Sequence, residues 1–304
     1  MKYLKNFIME TNNKKLITHN GSFHADDIFA TVTLSLLLEK KEESFEIIRT
    51  RDEEIIKNGD YVFDVGGIYD AEKNKFDHHQ VGGAGRHENG IEYAAFGLVW
   101  QKFGEEVCGS KEIADRLEEK FVTPIDANDN GINLYELKRE IAPYTIQDIF
   151  LAFRPTWKEE EDYDKPFLEL VDFAKKILIR EIKKMEDIIL AESAVEKCYA
   201  ESIDKKIIVL DDHYPWGEIV ANYPEPIFVI SPKADMWRVE CVRKQKFSFE
   251  NKKNLPLAWA GLRDEELQKV TGVPDAIFCH RALFLTVAGS KEGAMKLAQI
   301  ALES

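Results

Sequence analysis

The stretch His19-Asn20-Gly21-Ser22-Phe23-His24-Ala25-Asp26-Asp27 directly follows a short apolar run, Lys15–Thr18. Asp64 follows a second apolar run, Tyr61–Phe63, and Asp77-His78-His79 forms a third cluster of carboxylate and imidazole side chains. Short apolar runs of this kind predict strands, and residues that follow parallel strands line the crevice at the carboxyl edge of an α/β sheet. The three clusters are therefore predicted to converge on one edge of a sheet.

These clusters consist of side chains that bind divalent cations. Imidazole nitrogen and carboxylate oxygen suit zinc, manganese, iron or cobalt, and two such ions need roughly six or seven ligands, often with a shared carboxylate. A lone His–Asp pair in a loop is more often a hydrogen-bonded turn, so the prediction depends on the convergence of all three clusters. Together they predict one metal site.

An ordered set of motifs resembles a known family. From about residue 15 to the C-terminus, the chain resembles the melanocyte-proliferating-gene family, a branch of the DHH phosphoesterase superfamily, through THNGSFHADD, DVGGIYD, FDHHQ, TPIDANDNG, RPTW, WAGLRDEEL and SKEGA. The resemblance implies a metal-dependent phosphodiester hydrolase with two divalent ions, manganese being expected and zinc or magnesium the alternatives. Eukaryotic relatives of this branch are described as 3′-5′ exonucleases acting on RNA.

The resemblance also implies roles for individual residues. Asp64 matches the carboxylate that bridges the two metals. His79 is expected to face the scissile phosphate, and Asp77 to orient its neighbours, because imidazoles at metal sites commonly donate their other N–H to a carboxylate. These two are the implied catalytic residues, and the implied metal ligands are His19, His24, Asp26, Asp64, His78 and Asp126. His24 stands where the wider superfamily usually has Asp, which leaves the preferred metal open.

The predicted fold class is α/β, with a mainly parallel sheet flanked by helices and a smaller C-terminal mixed α/β domain. The near-helical spacing of apolar residues in Asp26–Lys40, followed by an apolar run at Phe45–Ile48, predicts βαβ order. The chain is predicted to comprise a metal-binding catalytic domain, a connecting amphipathic helix and a substrate-binding domain, at residues 1–164, 165–198 and 199–304.

Two further segments carry predictions about local structure. Pro124 is predicted to break a helical pattern, so that Asp126 would lie in a loop after the helix end. His87 lies in a glycine-rich stretch, where a flexible surface loop is favoured over a loop that closes on substrate.

The second domain departs from the superfamily pattern. Relatives often carry a Gly-Gly-His motif that grips the substrate, whereas the corresponding stretch here is Leu285–Ser290, with the sequence LTVAGS. Arg263, His280 and Arg281 remain as expected phosphate contacts. The sequence therefore supports hydrolysis better than it supports a particular substrate.

The charge of the chain bears on its partner. With 41 Lys+Arg against 55 Asp+Glu, the net charge is −14, whereas nucleic-acid binders usually present a strongly basic face. One segment is basic and interleaved with aromatic residues, and it comprises Trp237, Arg238, Arg243, Lys244, Lys246, Phe247, Phe249, Lys252 and Lys253. It is predicted either to bind a single strand or to form a solvated hairpin whose aromatic residues lie in the core.

Several features exclude other classes of protein. The four cysteines show no CxxC spacing, which indicates reduced thiols rather than a zinc ribbon or a disulfide framework. No apolar run reaches the roughly 18 to 20 residues of a membrane span, so a cytoplasmic protein without a membrane partner is expected. Asp211-Asp212-His213 precedes Pro215 and predicts a turn rather than a metal site.

Two classes of function stay open. The first is an enzyme, predicted to cut single-stranded or short RNA from its 3′ end, with small nucleotides or oligonucleotides as alternative substrates. The second is a non-catalytic regulatory or binding protein in which the same side chains hold a structural cation, a kind of site that about four protein ligands saturate. A homo-oligomer is left open as an alternative to a monomer.

Overall fold

The computed structural model describes residues 13–137, 140–245 and 248–304. The chain divides into two compact units, the first ending at Met185 and the second comprising Glu186–Ser304. The predicted α/β fold class is confirmed, because each unit has a five-stranded sheet with helices packed against it.

The first unit contains a mainly parallel sheet. Its strands lie in the order β2-β1-β3-β5-β4, where β1 pairs in parallel with β2 and β3, β3 pairs in parallel with β5, and only β4 is antiparallel to its neighbour. The strands are β1 (Lys14–Thr18), β2 (Phe45–Arg49), β3 (Tyr61–Phe63), β4 (Tyr69–Asp70) and β5 (Lys75–Phe76). The carboxyl ends of three neighbouring parallel strands, β1, β3 and β5, therefore share one edge.

Helices of the first unit pack around a central helix, α1. Its residues are buried on nearly all sides, and the hydroxyl groups of Thr31, Thr33 and Ser35 donate to backbone carbonyls four residues earlier, which satisfies them without water. The helices are α1 (Ala25–Lys40), α2 (Glu53–Lys57), α3 (Ala95–Cys108), α4 (Lys111–Leu117), α5 (Thr123–Asp129) and α6 (Ile146–Leu151). A π-helical turn, Glu118–Val122, joins α4 to α5.

Aromatic rings fix α1 against its neighbours. The Phe29 ring lies 5.5 Å from that of Phe96 on α3, 4.9 Å from that of Phe121 and 5.7 Å from that of Phe150 on α6. Such aromatic pairs contribute about 0.5–1.5 kcal/mol each beyond the burial of their area. The N-terminal turn of α1, which carries several predicted ligands, is thereby held in place.

The prediction for Pro124 was wrong. The proline lies within the first turn of α5, where its missing N–H needs no partner, so it begins a helix instead of ending one. Asp126 consequently lies on a helix and not in a loop.

The second unit contains a mixed sheet, with strands in the order β6-β7-β8-β10-β9. Only β6 and β7 are parallel. The strands are β6 (Ile207–Val209), β7 (Phe228–Lys233), β8 (Met236–Cys241), β9 (Ala276–Cys279) and β10 (Leu285–Ala288), and the helices are α8 (Gly217–Val220), α9 (Asp264–Thr271) and α10 (Lys291–Glu303). Leu267 of α9 and Leu297 of α10 contribute to one core cluster with side chains of the sheet.

A long helix, α7 (Asp164–Glu201), covers the whole of the predicted connecting helix; it begins one residue earlier and ends three residues later. The division between the two compact units falls inside it, after Met185. Across the described ranges, no helix combines the length and apolar character needed to cross a membrane.

Candidate metal centre

The side chains of the first unit that could hold a metal come from five segments. His19 follows β1, Asp64 follows β3, and His78 comes two residues after the end of β5, so all three lie at the shared carboxyl edge of the sheet. Further side chains come from the start of α1 and from the last residue of α5, Asp129. The βαβ order brings the first four segments together, and the packing of α5 against α1 and α3 adds the fifth.

Asp64 lies between two imidazoles. Its Oδ2 atom is 3.0 Å from Nε2 of His19, and its Oδ1 atom is 3.3 Å from Nε2 of His78. The residue adopts a left-handed backbone conformation, with φ of 54°, which Asp tolerates better than most residues. This conformation follows directly on the strand, and the side chain that it presents has one oxygen for each neighbouring imidazole.

Among the described residues, three groups of side chains could hold a metal ion, and within each group the ligand atoms lie within 4.8 Å of one another. Two of these groups share Asp64, as expected for a bridging carboxylate. The groups are His19, Asp27 and Asp64; Asp64, His78 and His79; and His24, Asp26 and Asp129.

Buried polar atoms without partners indicate that this donor set fits a cation. Within the described part of the chain, the buried atoms without a hydrogen-bond partner include four at this site: Oδ1 of Asp26, Oδ2 of Asp27, Oδ1 of Asp64 and Nε2 of His78. A buried polar atom left unsatisfied costs about 1–3 kcal/mol, and more when the group is charged. All four atoms belong to residues of the three groups, so coordination to a bound divalent cation would supply the partner that these atoms lack.

The electrostatics of the centre point the same way. Burial, together with the neighbouring carboxylates, raises the pKa of Asp26 well above its usual value. Burial also raises the pKa of Asp27 to about 7, despite the opposing effect of His19. Burial opposes ionisation of Asp64 as well, but the adjacent imidazoles of His19 and His78 outweigh it and lower its pKa. Positive charge at this place would relieve the crowding of carboxylates.

Asp77 orients His79. Oδ1 of Asp77 accepts hydrogen bonds from Nδ1 of His79 at 2.8 Å and from its backbone N–H at 3.1 Å, while Oδ2 accepts from the Gly67 amide at 2.5 Å. The His79 side chain is 62% exposed, in contrast to the 8% of His78. The hydrogen bond with Asp77 is the main reason that the pKa of His79 is raised. His79 therefore presents a readily protonated imidazole to solvent.

A cavity of about 750 Å³ opens at the metal centre. Arg51 lines it and supplies a cationic side chain that sequence reasoning did not single out. Its lining residues are His19, Asn20, Gly21, Ser22, His24, Arg51, Asp64, Val65, Gly66, Gly67, Asp77, His79 and Asp129.

Two arginine side chains donate hydrogen bonds to backbone carbonyls of the loop between His19 and α1. The buried Arg49 side chain donates to the Gly21 carbonyl at 2.6 Å, and its guanidinium lies 4.3 Å from the centre of the Phe167 ring. Arg154, from the RPTW motif, donates through Nε to the Phe23 carbonyl at 3.0 Å. These bonds fix the backbone on which His19 and His24 are carried.

The structure brings together five of the six sequence-predicted ligands. Asp126 is the exception, because its carboxylate accepts hydrogen bonds from His87 and from the Gly97 amide and belongs to none of the three groups. Asp129, one helical turn further along α5, is in a group instead. Sequence reasoning missed Asp129 and Asp27, although each lies beside a predicted ligand, three and one residues further along the chain.

The prediction that His87 lies in a flexible surface loop was wrong, and the alternative, a loop that closes on substrate, stays a prediction. The His87 side chain is only 3% exposed, and both of its ring nitrogens face carboxylates. The sequence offers no local signal for this burial, because both partners, Glu118 and Asp126, are distant in the chain.

The residues predicted to bind substrate lie in the second unit. The Arg263 guanidinium lies 4.3 Å from the centre of the Phe278 ring, and the His280 ring lies 4.4 Å from that of Phe284. Arg281 is exposed beside them in sequence. In this unit, guanidinium, imidazole and aromatic groups thus lie next to one another.

The basic and aromatic segment does not fit the predicted hairpin whose aromatic residues lie in the core. Phe249 is 92% exposed and lies 5.8 Å from the Arg243 guanidinium, so it does not lie in the core. Lys246 and Phe247 lie outside the described residues.

Asp212 and His213 are exposed, which agrees with the turn predicted at Asp211-Asp212-His213.

The cysteines carry no disulfide. Cys241 and Cys279 are buried, whereas Cys108 and Cys198 are half-buried.

The fold and the site define an α/β protein with a candidate metal centre at the carboxyl edge of a parallel sheet. A profile of the MYG1 exonuclease family, described as an uncharacterised protein family (UPF0160), matches residues 15–302. A MYG1 protein of Caenorhabditis elegans is 32% identical, and the alignment covers 94% of each chain. The MYG1 exonuclease of Bos taurus is 31% identical, and the alignment covers 94% of this chain and 84% of the relative. The chain belongs to this family, and the predicted resemblance is confirmed.

Solved structures show a weaker likeness. RecJ from Thermus thermophilus in complex with Mn²⁺ is 14% identical, with a TM-score of 0.28, and the match covers 96% of this chain and 52% of that chain. A second exonuclease RecJ, bound to manganese, is 12% identical, with a TM-score of 0.30, and the match covers 96% of this chain and 91% of that chain.

Membership of the MYG1 family makes the chain an enzyme, a hydrolase of phosphodiester bonds.

Proposed function

We propose that this chain is a two-metal 3′-5′ exonuclease that acts on single-stranded or short RNA. One observation carries the proposal: the Asp64 carboxylate is shared by two groups of candidate ligands beside an open cavity of about 750 Å³. Relatives named MYG1 exonuclease support the reaction type.

Seven side chains would hold the metal ions. We assign Asp129 in place of Asp126, because only Asp129 groups with His24 and Asp26. The proposed ligands are His19, His24, Asp26, Asp27, Asp64, His78 and Asp129. Manganese is the proposed metal, with zinc and magnesium as alternatives, since a set of imidazoles and carboxylates accommodates all three to different degrees.

The chain's own groups have distinct tasks in hydrolysis. Two bound divalent cations would supply a hydroxide at neutral pH and offset charge on the attacked phosphate and the leaving oxygen. His79, held through Nδ1 by Asp77, would present its other ring nitrogen to the phosphate and protonate the leaving oxygen. Arg51, at the wall of the cavity, would pair with a phosphate oxygen.

A single-stranded substrate is supported by the second unit. Bases stack on aromatic rings and phosphates pair with cationic groups, and here Arg263 and Phe278, His280 and Phe284, and Arg243 and Phe249 are neighbours. Arg281 is proposed as a further phosphate contact.

Small nucleotides or oligonucleotides are the second candidate substrates. The net charge of −14 opposes the approach of a long polyanion, so it favours short substrates over long ones. The predicted alternative of a non-catalytic protein does not agree with membership of this family. The geometry also differs from a structural site, which is closed by about four ligands, because this centre borders a cavity and includes an exposed imidazole.

The test is an assay of the purified chain with manganese, zinc or magnesium on 5′-labelled RNA, single-stranded DNA, dinucleotides and pyrophosphate. A 3′-5′ exonuclease should shorten 5′-labelled RNA in single-nucleotide steps, and Asp64→Asn should abolish the reaction. Release of the labelled 5′ nucleotide as the first product would overturn the proposed polarity. Hydrolysis of pyrophosphate or dinucleotides alone would replace RNA as the substrate. A cytoplasmic location stays a prediction.

A further inference from the structure

His87 is buried between two carboxylates behind the metal centre. Its Nδ1 atom is 3.0 Å from Oε1 of Glu118, and its Nε2 atom is 2.8 Å from Oδ2 of Asp126. The ring also packs 4.1 Å from the Tyr93 ring, measured between centroids. Because both nitrogens face carboxylate oxygens, the doubly protonated, cationic imidazole is the form that can donate to both. Burial opposes this charge, but the two carboxylates outweigh it and raise the pKa of His87 to about 9.

Asp126 is held from its other side by the start of α3. The Gly97 amide donates to Oδ1 of Asp126 at 3.1 Å, and the Ala95 amide donates to Oδ2 of Asp26 at 3.3 Å. Free amides in the first turn of a helix carry partial positive charge and attract carboxylates. The start of α3 thus binds two carboxylates. One belongs to Asp26, a candidate metal ligand, and the other to Asp126, which lies one helical turn before the candidate ligand Asp129.

The segment that contains His87 is tied to α5 a second time. The Asn130 side chain, just after α5, donates to the Glu92 carbonyl at 3.0 Å and to the Asp126 carbonyl at 2.9 Å. The same segment follows His78 and His79 in the chain. The residues behind the centre therefore connect the segment of the DHH motif with the helix that carries Asp129.

There is no spare room at this junction. A Cβ atom added to Gly97 would lie 1.8 Å from Oδ2 of Asp126, so α3 and the Asp126 carboxylate are in the closest contact that glycine allows. A displacement of Asp126 would turn or shift α5, and Asp129 would move with it because both residues lie on the same short helix.

We propose that His87 is a positioning residue for the metal group formed by His24, Asp26 and Asp129. By pairing with Asp126 it fixes the rotation of α5 against the start of α3, and so keeps the carboxylates of Asp26 and Asp129 close enough to share one cation. The inference rests on the metal centre of the proposed function, but not on RNA as its substrate.

The test is a titration of the full chain with Mn²⁺, followed by calorimetry and by the electron paramagnetic resonance of free manganese. His87→Gln keeps a similar size and removes the cation, and it should weaken the binding of one ion by about 10–100-fold, the usual effect of changing a residue that supports a ligand. At saturating Mn²⁺, its turnover should return to within a few-fold of the original, because no ligand has been removed. The matched control, His213→Gln, changes an exposed histidine and should leave both affinities unaltered.

Unchanged Mn²⁺ affinity in His87→Gln, with only a lower melting temperature, would overturn the proposal and leave His87 a purely structural residue. If His87→Gln does not fold, Glu118→Gln takes its place, since it weakens only the outer partner of the imidazole and should lower the affinity for one ion less severely. A chain that binds two ions but leaves RNA intact would refute the exonuclease proposal while the titration still decides the role of His87. A chain that binds no ion would refute both.

Discussion

Asp64 is the residue on which the metal centre depends most. Replacing it with Asn removes the charge that both groups share while keeping the shape of the side chain. We expect Asp64→Asn to lose more than about 100-fold in metal affinity, beyond the effect typical of residues that only support a ligand, and to lose hydrolysis with it. Metal content after dialysis and the rate on 5′-labelled RNA are the measurements. Asp212→Asn, an exposed control, should change neither, and full activity of Asp64→Asn would exclude a bridging role.

His79 is expected to act on the substrate and not to be essential for holding the metal. His79→Gln should retain its metal content and lose about 10²–10⁴-fold in kcat, the usual contribution of a positioned acid or base. In the original chain the pKa of His79 is raised, chiefly by Asp77. The protonated imidazole, which donates to the leaving oxygen, therefore persists above pH 6.5 and is lost as the pH rises further. The kcat of the original chain should therefore fall on the alkaline side, and this fall should be absent in His79→Gln. Loss of metal in the variant would make His79 a ligand instead.

At the scale of elements, α3 and α5 are in close contact at Gly97 and Asp126. Gly97→Ala places a methyl group against the Asp126 carboxylate, so we expect a loss of about 1–3 kcal/mol in the free energy of unfolding, as overpacking usually produces, together with weaker metal binding. Gly217→Ala, at the start of α8, meets no atom within 4 Å and should change stability by less than about 0.5 kcal/mol. Denaturant unfolding of both variants is the measurement, and equal stability would argue against a close contact at Gly97.

The anchoring of α5 should also depend on pH. The pKa of His87 is about 9 in the folded chain and near 6.5 when unfolded, so its contribution to stability is complete below pH 6.5 and is lost as the pH rises through 9. The pKa of Asp126 is raised to about 6 by burial, against the opposing bond with His87, so both members of the pair are mostly charged only between about pH 6 and 9.

The shift of His87 corresponds to at most about 3 kcal/mol of unfolding free energy. Melting temperatures measured across pH 6.5 to 9.5 should fall more steeply for the original chain than for His87→Gln. Parallel curves would show that the imidazole is not charged in the folded chain.

At the scale of the whole molecule, charge is expected to select for substrate length. The net charge of −14 repels a long RNA more than a short one, and salt screens this repulsion, since the Debye length falls from about 30 Å at 0.01 M to about 8 Å at 0.15 M. We expect kcat/KM at low salt to fall as RNA length increases, and the difference to narrow as salt is added. Rates on RNAs of graded length at both salt concentrations provide the measurement, and a preference for long RNA at low salt would contradict it.

The sequence by itself determined the family, the α/β class, the position of α1 between the first two strands and five of the side chains in the candidate metal groups. These follow from local patterns, because a ligand placed directly after a parallel strand lies at the sheet edge whatever surrounds it. Asp64 and His19 are of this kind.

Only the tertiary structure placed Asp129, and not Asp126, in a group with His24 and Asp26. It also buries His87 and places Pro124 in the first turn of a helix. Asp126 and Asp129 are both acidic and lie one turn apart on α5, so their spacing alone does not say which of them faces the cation. Which side each carboxylate faces depends on the rotation of α5, and α5 is held through Asp126 by hydrogen bonds with Gly97 and His87, residues about thirty or more positions away in the chain.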